Sequence, residues 1–130
     1  MDCPDCGSET LAVTVPAQYR EDLPGEETGI ALCTHCLAMH PAADPPAEPP
    51  DFQRLSDAMP SNPDAALPMA LLVGLLSNLA LYREEISDLL GAVERAGTDP
   101  LLVLDRLARD PELAPETDLA GRRRQLEQLI

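Results

Sequence analysis

The sequence predicts a small α+β protein. In it a β-hairpin carrying two cysteine knuckles is joined by a proline-rich spacer to a C-terminal all-α module of three helices. Three observations point to this. All four cysteines and both histidines fall within the first 40 of 130 residues, and five prolines crowd positions 41–50. After residue 66 apolar side chains recur at steps of three and four, the period of a helix face. A chain of this length builds one ordinary core or two small ones. The uneven distribution favours two, divided as 1–40, a linker over 41–60, and 61–130. Aromatic residues are scarce, with Phe52, Tyr19, Tyr82 and no Trp. A core of Leu, Val, Ile, Ala and Met favours packed helices over a sandwich or barrel.

In the first segment Leu11 to Val15 is a short β-prone run ended by Pro16, and Gly29 to Leu32 leads directly into Cys33. Between them the polar stretch Pro16 to Thr28, with Pro24-Gly25 marking a turn, makes a long hairpin loop. The run PAADPPAEPP at 41–50 disfavours regular helix and reads as an extended spacer. Asp51 to Met59 has the makings of a short helix before the Pro60-Ser61-Asn62-Pro63 break. Then Leu72, Leu75, Leu76, Leu79, Tyr82, Ile86, Leu89, Leu90 and Val93 mark one face of a long helix beginning near Pro68 and stopping at Gly97. At about 1.5 Å per residue it would run roughly 40 Å. Asp99-Pro100 is an N-cap and first-turn pair that opens a helix through Arg109 on Leu101, Leu104, Leu107 and Ala108. A last helix from about Asp118 carries Leu119, Leu126, Leu129 and Ile130, with Gly121 weakening its start.

One constellation carries chemistry. Cys3-Pro4-Asp5-Cys6-Gly7 and Cys33-Thr34-His35-Cys36 are two C-x₂-C pairs separated by 26 residues. Each pair turns two sulfurs toward one point and a hairpin brings the pairs together, which is the tetrahedral four-thiolate cage that suits Zn²⁺. Gly7 fits a tight knuckle because it enters the left-handed region cheaply. The first segment therefore reads as a zinc ribbon with Cys3, Cys6, Cys33 and Cys36 as ligands. Iron suits the same sulfur cage. A thiol redox centre is the other competitor, although the βαβ setting expected of one is missing. A closed four-sulfur site leaves no position for a reactive water, so no enzyme is expected. His35 and His40 read as groups around the cage or on the surface. Arg122-Arg123-Arg124 is the one basic cluster and pairs naturally with Glu127 and its like.

The formal net charge is −14, and all nine basic residues are Arg. Such a surface repels itself in dilute buffer and is eased by screening. Discarding lysine, with its long apolar stem, fits a very salty cytoplasm. The same charge disfavours nucleic acid held by field alone. Asp2, Asp5 and Glu9 sit where a secretory leader would be basic and apolar, and Leu67 to Tyr82 is too short to span a bilayer. The expected setting is cytoplasmic, with no membrane contact.

MDCPDCG, ALCTHCLAMHP, PPAEPPDF and PMALLVGLLSNLALYR together resemble an uncharacterised haloarchaeal family of small zinc-ribbon proteins, a domain of unknown function. The resemblance covers nearly the whole chain. It implies the same four ligands and a high-salt cytoplasm, and it supplies no activity or partner. Leu37 departs from the general ribbon pattern, where glycine often follows the second knuckle. The expected role is a non-enzymatic adaptor or protein-interaction module. A nucleic-acid-associated ribbon in transcription or RNA handling is the alternative, and a thiol redox protein the third. From Met69 to Leu81 apolar residues go almost all the way round the helix. A protein partner or a second copy of the chain is therefore expected on the helix around Met69 to Val93.

The charge generates the first prediction. The melting temperature should rise between about 0.1 M and about 2 M KCl, over which the Debye length falls from roughly 10 Å to below about 3 Å. A flat or falling trend in a calorimetric salt series would contradict it.

Overall fold

The computed structural model describes residues 2–23, 27–48 and 50–129. The expected turn at Pro24-Gly25 and the apolar Ile130 lie outside them. Strand β1 (Thr10–Thr14), a short helix α1 (Ala17–Arg20) and strands β2 (Gly29–Cys33) and β3 (Met39–Ala42) come first. Helices α2 (Pro63–Leu75), α3 (Arg83–Arg95), α4 (Pro100–Ala108) and α5 (Leu119–Leu126) follow. The strands form one antiparallel sheet in the order β1-β2-β3.

Leu11 lies opposite Leu32 and Val13 opposite Ile30, so these four side chains share the buried face of the sheet. The expected hairpin is thus two strands of a three-stranded sheet. The third strand escaped the sequence reading because Pro41 opens the proline run. Pro41 lies in the edge strand, where a missing N–H costs little. Pro45 follows against the backbone, so close that a Cβ on Gly29 would lie 2.5 Å from its ring. The Thr14 hydroxyl also donates to the Pro46 carbonyl at 2.6 Å.

The long helix expected from Pro68 to Gly97 is two helices. Asn62 caps α2 by accepting from the Asp64 N–H, and Pro63 takes the first helical position, so the proline pair read as a break is a start. A 3₁₀ turn at Leu76–Asn78 then ends α2, and α3 returns along it. The sequence shows no strong breaker there; packing decides. Folding back lets Ile86, Leu89, Leu90 and Val93 bury fully instead of lining one side of an unsupported rod. The predicted stop at Gly97 is present. Gly97 has φ +89° and donates to the Glu94 carbonyl, while Thr98 donates to that of Val93. Asp99 caps α4 as its sequence position implies, and Asp118, near which the last helix is expected to begin, caps α5.

One buried cluster runs from Leu11 through Phe52, Leu55 and Met59 to Leu126. Strands and helices share this core, and the stretch read as a linker contributes to it. Within it α2 is covered nearly all round, with Met69, Leu71, Leu72 and Leu75 at 2% exposure or less. This corrects the reason for expecting a second chain on that helix. The apolar circumference is buried by the sheet and by α3, and Leu81, 71% exposed, is the large apolar residue left out. The acidic surplus is felt locally as well. Burial and the neighbouring Asp88 push the Asp22 carboxyl up to about 6.

Gly74 shows how tightly sheet and helix meet: a Cβ there would lie 2.5 Å from Met39 Sδ and 2.8 Å from Met39 Cβ. Gly91, also inside a helix, would meet only the movable end of the exposed Arg95, at 3.0 Å. Gly74→Ala should cost about 1–3 kcal/mol by overpacking. Gly91→Ala should range from neutral to about 1 kcal/mol stabilising. Urea unfolding of the two variants checks this, and the reverse order would refute the packing of α2 on β3.

Candidate metal centre

The β1 to β2 register builds the site. Thr10 pairs with Cys33, so the segment entering β1 lies beside the one leaving β2, and each carries a knuckle. Both knuckles have the same local shape. In the first, the Gly7 N–H donates to the Cys3 carbonyl at 2.8 Å and Gly7 has φ +80°. In the second, the N–H groups of His35 and Cys36 both point at Cys33 Sγ, 3.3 Å away, and Leu37 has φ +63°. Leu37 thus adopts the backbone that glycine usually supplies, a strain of about 1–2 kcal/mol for a residue with a Cβ. Its side chain is buried in the shared core, and burying a leucine contributes about 1.5–3 kcal/mol, enough to offset the strain. Thr34 ties the knuckles together, donating to the Glu9 carbonyl from both its N–H and its hydroxyl.

The structure brings all four predicted cysteines together. Their sulfurs lie within 4.8 Å of one another, with Cys3 to Cys36 at 3.7 Å and Cys6 to Cys33 at 3.4 Å. A metal–sulfur bond of about 2.3 Å implies tetrahedron edges of about 3.8 Å. The cage has that size, and the donor set fits a metal ion. Cys3, Cys33 and Cys36 are buried while Cys6 is exposed. Burial pushes the Cys33 and Cys36 thiols above their ordinary value, Cys36 the further. Hydrogen bonds from Ser8, first from its side chain and then from its backbone, with a further one from Cys33, lower the Cys6 thiol to about 5. A bound cation would supply the positive charge that the two buried thiols need in order to ionise.

A loop from the helical part closes over the second knuckle. The N–H groups of Ala114 and Glu116 donate to the carbonyls of His35 and Cys36, at 2.9 and 3.2 Å. That loop is fixed through Asp110, whose carboxylate accepts from the Ser56 hydroxyl at 2.6 Å and from the Glu112 N–H at 2.9 Å. On the other side Arg54 pairs with Glu9 at 2.6 Å. The cage is therefore seated on the helices.

Residues 2–130 match the family of unknown function DUF6276. The chain belongs to that family. No curated protein and no solved structure shows a significant match.

His35 is exposed, whereas His40 reaches toward the cage, its Nε2 3.8 Å from Cys3 Sγ and 3.6 Å from Asp5 Oδ2. Asp5 and Glu116 belong to the same neighbourhood and were not singled out by the sequence. Asp5 is one acid among 23 acidic residues, and Glu116 arrives only through the docking of its loop. The basic cluster is largely engaged. Arg123 pairs with Asp105 at 3.0 Å and with Glu127, the pairing its helical spacing implies, and Arg122 donates to Gln125. Among the described residues no helix is long and apolar enough to cross a membrane.

Proposed function

We propose that Cys3, Cys6, Cys33 and Cys36 hold one structural Zn²⁺, and that the protein is a non-enzymatic cytoplasmic adaptor whose ribbon and helices present a single rigid surface. The observation that carries the reading is the cage: four thiols of tetrahedral spacing, three of them buried. Four protein ligands complete the coordination of Zn²⁺ and leave no place for an activated water. When bound, the metal would offset half of the charge of the four thiolates and crosslink two distant knuckles. The chain's own part is to aim backbone N–H groups at Cys33 and to seat the cage on the core.

The adaptor reading follows from what the cage does not offer and from what the surface does. The partner or second copy is assigned to the span from Met69 to Val93, where Leu81 at the turn between α2 and α3 is the exposed large apolar group. Nucleic acid is the weaker reading, because two of the three clustered arginines are already engaged and the surplus charge is negative.

Elemental analysis of protein purified without added metal should give one zinc per chain. Cys33→Ser should lose it along with order in the sheet. Metal-free protein with an intact sheet would refute the structural role, and iron in place of zinc would correct the metal. A partner captured at the native salt concentration should be lost on Leu81→Asp with zinc content unchanged, and retention would place the contact elsewhere.

A further inference from the structure

A small groove lies between the turn that joins α2 to α3 and the end of the chain around α5. Leu79, Ala80 and Leu129 give it an apolar lining, and its volume is about 270 Å³. Small-molecule pockets run from about 300 to about 1,000 Å³, so this groove suits a side chain or two of a peptide better than a cofactor. Two arginines border it, Arg83 from the start of α3 and Arg122 from α5, and the rest of the lining is neutral glutamine. No Asp or Glu takes part, on a chain with 23 acidic residues and nine arginines.

Among the described residues neither guanidinium has a carboxylate within ion-pair distance. Arg122 donates to the Gln125 side chain at 2.9 Å, which holds the guanidinium in place without neutralising it. Arg83 is the first residue of α3, so its charge adds to the positive end of the helix dipole. Glu84 and Glu85 follow in the same turn but do not line the groove. The opposite end of the α2 and α3 pair has the reverse character. There a groove of about 850 Å³ is lined by Glu21, Asp22, Asp64 and Asp88, with Arg95 as its one cation. The groove beside Leu79 is thus a local inversion of the chain's charge, and Leu81, 71% exposed, belongs to the same turn.

We propose that this groove docks an acidic and apolar segment of another protein. A leucine-like side chain of the partner packs on Leu79, Ala80 and Leu129, and carboxylates flanking it pair with Arg83 and Arg122. The charge of the groove selects that chemistry. A basic segment would set like charges face to face, and a purely apolar one would cover both guanidinium groups without giving them a partner. An apolar centre with arginine at its border is also the usual anatomy of a protein contact. The proposal deepens the adaptor reading and rests on it, since groove and Leu81 share one turn.

Random peptides displayed on phage and selected on the full chain test this. Binders should carry an apolar residue next to Asp or Glu. A synthetic copy of the best one should bind about tenfold or more weakly to Arg83→Glu and to Ala80→Glu, measured by fluorescence polarisation. The same peptide with its acids changed to Arg should prefer Arg83→Glu over the natural protein, a reversal that a misfolded variant would not give. A selection without acidic and apolar binders, or binders indifferent to both substitutions, would overturn the proposal. If such indifferent binders were still lost on Leu81→Asp, the contact at that turn would stand without the groove. If the binders needed Arg83 and kept their affinity for Leu81→Asp, the groove would stand and the Leu81 contact would fall. Self-association of the chain that disappears on Arg83→Glu, seen by sedimentation, would place a second copy in the groove and overturn the choice of partner.

Discussion

Four sulfurs gathered within 4.8 Å, three of them out of water, are the constraint around which the chain is arranged. Burial alone would hold Cys33 and Cys36 as neutral thiols, and neutral thiols attract one another only weakly. A shared cation would convert that indifferent cluster into a crosslink between residues 3–6 and 33–36. The register of β1 on β2 then follows, since shifting it by one residue would separate the knuckles and turn Leu11 and Val13 away from the core.

Such a crosslink would matter because the sheet it would close is small. Its strands span five, five and four residues, and its buried face is little more than Leu11, Val13, Ile30 and Leu32. A sheet of that size needs support from a helix. The support is α2, whose small Gly74 lets Met39 of β3 sit against the helix backbone. Helix α3, the turn at Phe52–Arg54 and the loop over the second knuckle complete the enclosure. Cysteine cage, sheet and helices are three layers of one structure, and Leu37 is where the first is locked to the others.

Much of this was legible in the sequence, for reasons that can be located. The cysteine spacing, the two main strands, the Asp99 cap, the helix start near Asp118 and the stop at Gly97 are local signals, each set by a few neighbouring residues. What failed was set at a distance. Pro41 reads as the start of a spacer until an edge strand is available to receive it. The helical period from Leu72 to Val93 runs unbroken through Ser77 and Asn78, because periodicity records which side chains are buried and not where the chain reverses. Nor does the period reveal that the apolar circumference of α2 is taken up within the chain's own core. Glu116 entered the site with no sequence signal at all.

The central claim is that cage and helices belong to one cooperative unit. Hydrogen exchange followed by mass spectrometry, on zinc-loaded protein and on protein stripped by chelator under reducing conditions, tests it most directly. Stripping should lower protection in the strands, in the 110–118 loop and in α2 and α3 together. If only residues 2–9 and 33–38 open while the helices keep their full protection, the metal orders nothing beyond its own knuckles and the account is wrong.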